Sequence, residues 1–184
     1  DILKGCDAVI AGTELYSSIV IEENSQLKVI SRLGVGLDNI DFACTKKNNI
    51  TVLKTDTTPA RAVAELALGL IMDLLRNISY SNNLIKEGIW EKHMGVLFSG
   101  KTLGIIGLGS IGKELVKITK GFGLKYLVHD LQEDKQFAEE YNLTYCDLDT
   151  LLRNADVVSV HINMMKENNN LLNSYHLEKM KRTS

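Results

Sequence analysis

The stretch that most constrains this chain runs from Lys101 to Asp130. Leu103 to Ile106 form a short apolar run of the kind that parallel sheets bury on both faces. Gly107-Leu108-Gly109-Ser110-Ile111-Gly112 follows at once, in the pattern G-x-G-x-x-G. Ile111, Leu115, Ile118 and Phe122 then recur at helical spacing, and a second apolar run, Tyr126 to Val128, leads to Asp130. In such a turn Gly107 lets the chain bend tightly, Gly109 leaves room for a pyrophosphate beside the backbone, and Gly112 lets helix and strand approach closely. The amides at the helix start, with the positive end of its dipole, hold phosphate oxygens. A carboxylate at Asp130, 23 residues after Gly107, accepts hydrogen bonds from adenosine ribose hydroxyls.

Glycine-rich turns are common, so the pattern alone leaves open a plain βαβ turn or another adenosine-cofactor fold. The ordered succession of strand, glycines, helix and acid favours a dinucleotide site. Leu131 and Gln132 follow the acid, and no arginine is placed to meet a 2′-phosphate, which favours NAD over NADP.

At 184 residues the chain has room for one large domain or two small ones, and 45% apolar residues support a core. A net charge of −2 gives no reason to expect nucleic acid or an acidic membrane as partner. Cys6, Cys44 and Cys146 are far apart and in no C-x-x-C arrangement, so they read as reduced thiols in an intracellular protein. The first residues carry no signal-peptide pattern. The longest apolar stretch, Ala62 to Leu75, is interrupted by Glu65 and Asp73 and is too short to span a bilayer. These features point to the cytoplasm. His93, His129 and His176 show no ligand spacing with one another or with the cysteines, so no metal site is expected.

The chain before residue 100 alternates strand, turn and helix, which argues for parallel α/β architecture. Strands are expected at 8–12, 27–33 and 50–54, a weak helix at 17–24, and a helix at 41–47 with Asn39 or Ile40 near its cap. Thr58 is expected to cap the next helix, with Pro59 at its first position. That helix should run from Ala60 to about Glu87, with a break between Ser79 and Asn83. Apolar nearly all round from Ala62 to Leu75, it should be buried on several sides. Beyond Asp130, helices at 134–141, 149–153 and 176–180 alternate with strands at 143–146 and 157–162.

Several of these stretches resemble the D-isomer-specific 2-hydroxyacid dehydrogenase family. They are Arg32-Leu-Gly-Val-Gly-Leu-Asp-Asn-Ile-Asp41, Arg61-Ala-Val-Ala-Glu-Leu-Ala-Leu-Gly-Leu70, the glycine segment from Gly100 to Gly112, Ala155-Asp-Val-Val-Ser-Val-His161, and Leu171-Leu-Asn with His176-Leu-Glu-Lys-Met180. The resemblance implies a Rossmann-like parallel sheet in a cofactor domain, residues 100–184. It implies a smaller flavodoxin-like α/β substrate domain, residues 1–99, which includes the long linking helix; both domains would be partial. NAD would be held by Gly107, Gly109, Ser110, Ile111, Gly112 and Asp130, with His161, Asn163, Asn168 and Thr55 alongside. Val35 and Gly36 would grip a substrate carboxylate through the backbone, assisted by Arg32. Asn163, Met165 and Asn168 stand where the family usually has a proline and threonines.

The implied activity is NAD-dependent interconversion of a D-2-hydroxy acid and a 2-oxo acid by a homodimer paired through the long helix. Such a transfer needs a cation for the carboxylate and a positioned proton donor. The family's arginine, glutamate and histidine for this would lie beyond residue 184, so no catalytic residue is assigned here and the chain by itself is expected to be inactive. Two other readings stand beside this one. One is a non-catalytic NAD-binding or interaction protein on the same scaffold. The other is an adenosine-cofactor enzyme such as a methyltransferase, against which the Arg32–Asp41 and Arg61–Leu70 matches count.

Overall fold

The computed structural model describes residues 2–163 and 168–183. They fall into two compact units divided between Thr58 and Pro59.

The first unit is a three-stranded parallel sheet of β1 (Ala8–Ala11), β2 (Val29–Arg32) and β3 (Thr51–Lys54), in that order across the sheet. Its core gathers Ala11, Ile21, Leu27, Ile30 and Ile40 around the central strand. Ser17 caps α1 (Ser18–Glu22) by accepting from the Val20 amide. Asp41 caps α2 (Phe42–Lys47), its carboxylate accepting from Cys44 N at 2.9 Å. The cap therefore lies one or two residues past the expected Asn39 or Ile40. Asn39 instead donates its side-chain amide to the carbonyls of Gly12 and Glu14, tying two loops together.

The second unit holds a four-stranded parallel sheet of β4 (Thr102–Ile106), β5 (Lys125–His129), β6 (Leu143–Tyr145) and β7 (Val157–Val160), in the order β6-β5-β4-β7. Between its strands run α5 (Ser110–Thr119), a 3₁₀ turn (Lys120–Phe122), α6 (Lys135–Tyr141) and α7 (Leu148–Asn154). The side chains of β4 alternate between two cores. Leu103 and Ile105 pack with Leu115 and Val116 of α5, whereas Ile106 packs with Leu151 and Leu152 of α7. Gly104, between them, lets α7 come close: a Cβ there would stand 2.6 Å from Leu151 Cδ2. This is the Rossmann-like α/β arrangement, with helices on both faces of the sheet. Because β4 has β5 on one side and β7 on the other, the winding reverses between β4 and β7. Ligands of open parallel sheets bind at the carboxyl ends of the strands beside such a reversal.

The long helix departs from expectation in three ways. It is two helices, α3 (Ala60–Arg76) and α4 (Ile78–Lys86), broken at Asn77 with φ 54° and ψ 39°. The break precedes residues 79–83 because Asp73 accepts from both the amide and the hydroxyl of Ser79, at 2.6 and 2.7 Å, and so starts the second helix early. Pro59 is the N-cap, one position before the first helical residue. Burial is also one-sided: Ala64 and Ile71 are buried, while Leu66, Leu70 and Leu74 are 64, 56 and 79% exposed. Ala64 and Ile71 join the core of the second unit, so α3 packs there, although the sequence reading groups it with the residues before 100. The last helix, α8 (Ser174–Lys179), begins two residues before the expected His176 because the Asn173 side chain caps it. Among the described residues no helix is long and apolar enough to cross a membrane.

Candidate functional site

The glycine turn joins the end of β4 to the start of α5, beside the reversal in winding. Gly107 has φ +93°, donates its amide to the His129 carbonyl at 2.9 Å, and passes so close to β7 that a Cβ would lie 2.7 Å from the His161 carbonyl oxygen. A Cβ on Gly112 would stand 2.5 Å from the Gly107 carbonyl oxygen, so this glycine sets how close α5 comes to the sheet. Gly109 is different. It is the N-cap of α5, no side chain caps that helix, and a Cβ there would meet nothing within 4 Å. Open space beside an uncapped helix start fits a pyrophosphate, with Ser110 and Ile111 opening the first turn.

Asp130 follows β5 directly and is tied to this turn. Its Oδ2 accepts from Leu108 N at 2.6 Å and its Oδ1 from Gln132 N at 3.0 Å. Each oxygen keeps a further lone pair for a ribose hydroxyl. Asp130 shares with Leu108 and Gly109 a cavity of about 620 Å³ whose remaining wall is Lys113 and residues 132–135. Lys113 Nζ lies 2.5 Å from Asp134 Oδ2. That hydrogen bond, with the Phe137 amide that Asp134 also caps, holds the Asp134 carboxyl below the usual carboxylate range. Sequence reasoning did not single out this pair. The sole trace of it was an acid standing at the start of the 134–141 helix.

At the end of β7, His161 N donates to the Ile106 carbonyl at 2.8 Å, and its Nε2 lies 2.8 Å from Ser159 Oγ. Burial pushes the His161 imidazole below its ordinary value and favours the neutral ring. Its described partner is a hydroxyl and not a carboxylate. Asn168 donates to the Asn163 carbonyl at 3.0 Å, and both line a cavity of about 330 Å³ with Val160, Ile162, Leu171 and Leu172. Met165 lies outside the described residues.

Arg32, Val35, Gly36 and Thr55 belong to the first unit. There the turn after β2 is held by Leu33 N donating to Ala11 O and Thr55 N donating to Gly34 O, at 2.8 and 3.3 Å. Arg32 Nη1 folds back onto the Leu33 carbonyl, and its Nε is buried with no partner among the described residues. The fold thus brings Gly107–Gly112, Asp130 and His161 together at the strand ends of the second unit. It separately gathers Arg32, Val35, Gly36 and Thr55 at the strand ends of the first. Among the described residues, no group of three or more His, Cys, Asp or Glu could hold a metal ion.

Residues 68–184 match the family described as "D-isomer specific 2-hydroxyacid dehydrogenase, NAD binding domain". The chain belongs to this family. The domain matched binds NAD, the cofactor expected from the glycine turn and Asp130. The chain is 37% identical to a hydroxypyruvate reductase of Thermotoga maritima, over 94% of its own length and 56% of that protein's. To a D-3-phosphoglycerate dehydrogenase of Synechocystis it is likewise 37% identical, over 100% of its length and 34% of the other's. Among solved structures it superposes on the apo-structure of D-lactate dehydrogenase from Escherichia coli with a TM-score of 0.87 at 33% identity, covering 98% of this chain and 58% of that one. A D-lactate dehydrogenase from Aquifex aeolicus, solved with NAD and lactic acid, gives 0.82 at 27% identity, covering 98% and 55%. The chain therefore spans between about a third and just over half the length of these relatives.

Proposed function

We propose that this chain forms the NAD site and part of the substrate site of an oxidoreductase that interconverts a D-2-hydroxy acid and a 2-oxo acid. The observation that carries the reading is Asp130 hydrogen-bonded to the amide of Leu108, inside a glycine turn beside the winding reversal. When bound, NAD would supply hydride exchange between its nicotinamide C4 and the substrate C2. The start of α5, with Gly107, Gly109, Ser110, Ile111 and Gly112, holds the pyrophosphate. Asp130 holds the adenosine ribose. His161, Asn163 and Asn168 flank the nicotinamide end. The amides of Val35 and Gly36, which donate to no group among the described residues, receive the substrate carboxylate with the Arg32 guanidinium beside them.

No residue of this chain is assigned the proton transfer. His161 is held neutral and has Ser159 as its partner, so it lacks the carboxylate that would raise its basicity. In this reading the chain by itself is inactive, and residues 1–99 serve the substrate and 100–184 the cofactor. The protein works in the cytoplasm as a homodimer paired over the Leu66, Leu70 and Leu74 stripe of α3, an exposed apolar surface that pairing would cover.

The test is calorimetric titration of the chain with NAD and with S-adenosylmethionine, followed by turnover assays with hydroxypyruvate, glyoxylate, D-3-phosphoglycerate and D-lactate. NAD binding without turnover is the expected result. S-adenosylmethionine binding alone would overturn the cofactor reading. Turnover would overturn the exclusion of a proton donor and turn attention to His161.

A further inference from the structure

The wall of the cavity beside Asp130 carries an ion pair that the cofactor reading does not use. Three carboxylates, Asp130, Glu133 and Asp134, face two ammonium groups, Lys113 and Lys135, around this cavity. Lys113 projects from the second turn of α5, the helix that meets the pyrophosphate, and is engaged at its far end. Its Nζ lies 2.5 Å from Asp134 Oδ2 and 5.4 Å from the centre of the Phe137 ring. Asp134 is fixed in turn, because its other oxygen caps α6 through the Phe137 amide at 3.0 Å and its own amide donates to Tyr145 Oη at 2.9 Å. Lys113 is thus the cation nearest in chain to the phosphate-binding turn, and a rigidly held acid neutralises it.

From this geometry we infer that the Lys113–Asp134 pair is a specificity device, which withholds a cation from the 2′ position of the adenosine ribose and so discriminates against NADP. The inference rests on the dinucleotide site described above and adds to Asp130 a second source of selectivity. A 2′-phosphate brings about two negative charges into a cavity that already carries an excess of acid. Each unpaired cation that meets it strengthens its binding. Of the two lysines on this wall, Lys135 has no ion-pair partner among the described residues, while Lys113, long enough to serve, is held back. NAD, with free ribose hydroxyls, does not need that charge.

Two substitutions separate the parts. Asp134→Asn removes the charge and keeps an oxygen to cap α6, since Asn caps as well as Asp does. Lys113→Gln removes the cation and leaves the cap untouched. The experiment is calorimetric measurement of Kd for NAD and NADP on the full chain, with native protein, each single variant and the double variant. A unit charge moved within about 8 Å of a divalent phosphate at a wet surface changes affinity on the order of tenfold. Asp134→Asn should therefore improve the NADP-to-NAD affinity ratio about tenfold. Lys113→Gln should worsen it, and the double variant should lose the gain of Asp134→Asn. A ratio within twofold of native in both single variants overturns the inference while leaving the NAD site standing. A gain that persists in the double variant also overturns it, because the missing acid and not the freed lysine would then be responsible. Should Asp134→Asn fail to fold, Asp134→Ser, which also caps a helix and carries no charge, takes its place with the same expected outcomes. Failure of native protein to bind NAD at all overturns the underlying site reading, and the inference falls with it.

Discussion

Two of the glycines in the turn make opposite predictions, and the contrast separates holding the fold from holding the cofactor. In Gly112→Ala the new Cβ would lie 2.5 Å from the Gly107 carbonyl oxygen, whereas real Cβ atoms essentially never approach closer than 3.0 Å. That oxygen is backbone, so relief requires α5 to move off β4 by about 0.5 Å or more. Overpacking of this kind costs about 1–3 kcal/mol. In a protein of this size that is a loss of roughly 3–10 °C in Tm. NAD affinity should fall as well, since the amides of α5 move with the helix. Gly109→Ala adds its methyl to open space at φ −72° and ψ −162°, values any residue adopts. Stability should stay within about 1 kcal/mol of native, because the poorer cap is offset by a stiffer unfolded chain. The methyl would nevertheless occupy the room assigned to the pyrophosphate, and NAD affinity should fall at least about tenfold, the loss of one good charge-assisted hydrogen bond. Thermal denaturation and calorimetric titration on the two variants measure both quantities. Native-like NAD binding by Gly109→Ala would refute the placement of the pyrophosphate, and native-like stability of Gly112→Ala would refute the packing argument.

Asp130→Ala should weaken NAD binding by about ten- to a hundredfold and narrow its advantage over NADP. It should also lower stability by about 1–3 kcal/mol, because the buried Leu108 amide loses its acceptor. Asp156 bears on pH. Burial raises its carboxyl, but the hydrogen bonds from Lys181 and the Thr102 amide outweigh that and hold it below the ordinary 3.8. An acid lowered on folding adds stability above its unfolded value, and that stability is lost as pH falls through the folded one. Asp156→Asn should thus be less stable than native by about 1–2 kcal/mol at pH 7, with the difference closing below pH 3.8 in urea denaturation. For the α3 stripe, Leu70→Glu with Leu74→Glu should halve the mass seen by sedimentation equilibrium; an unchanged mass would place the dimer contact elsewhere.

What could be read from the chain beforehand depended on whether the physics was local. The β4–α5 turn was legible because each glycine answers a backbone demand within a few residues, and β5 with Asp130 because an apolar run ends on an acid at the right distance. The winding order β6-β5-β4-β7 was not legible, because successive βαβ units fix the hand of each crossover and not the side of β4 on which the last strand adds. Helix ends were less legible where a side chain several residues away decides them: Asp73 reaches forward to Ser79, and Asn173 caps α8. The one-sided burial of α3 was hidden, since an apolar helix looks the same whether its second face meets its own chain or another surface. The Lys113–Asp134 pair joins two residues 21 apart that no short-range pattern links.

The placement of NAD at the glycine turn is tested most directly by the change in backbone amide resonances of isotopically labelled protein as NAD is added. Saturable shifts should be concentrated at Leu108, Gly109, Ile111 and Gln132, with smaller ones at His161, and none at the far ends of the same strands near Thr102 and Asp156. Saturable shifts centred elsewhere, or none at millimolar NAD, would contradict that placement.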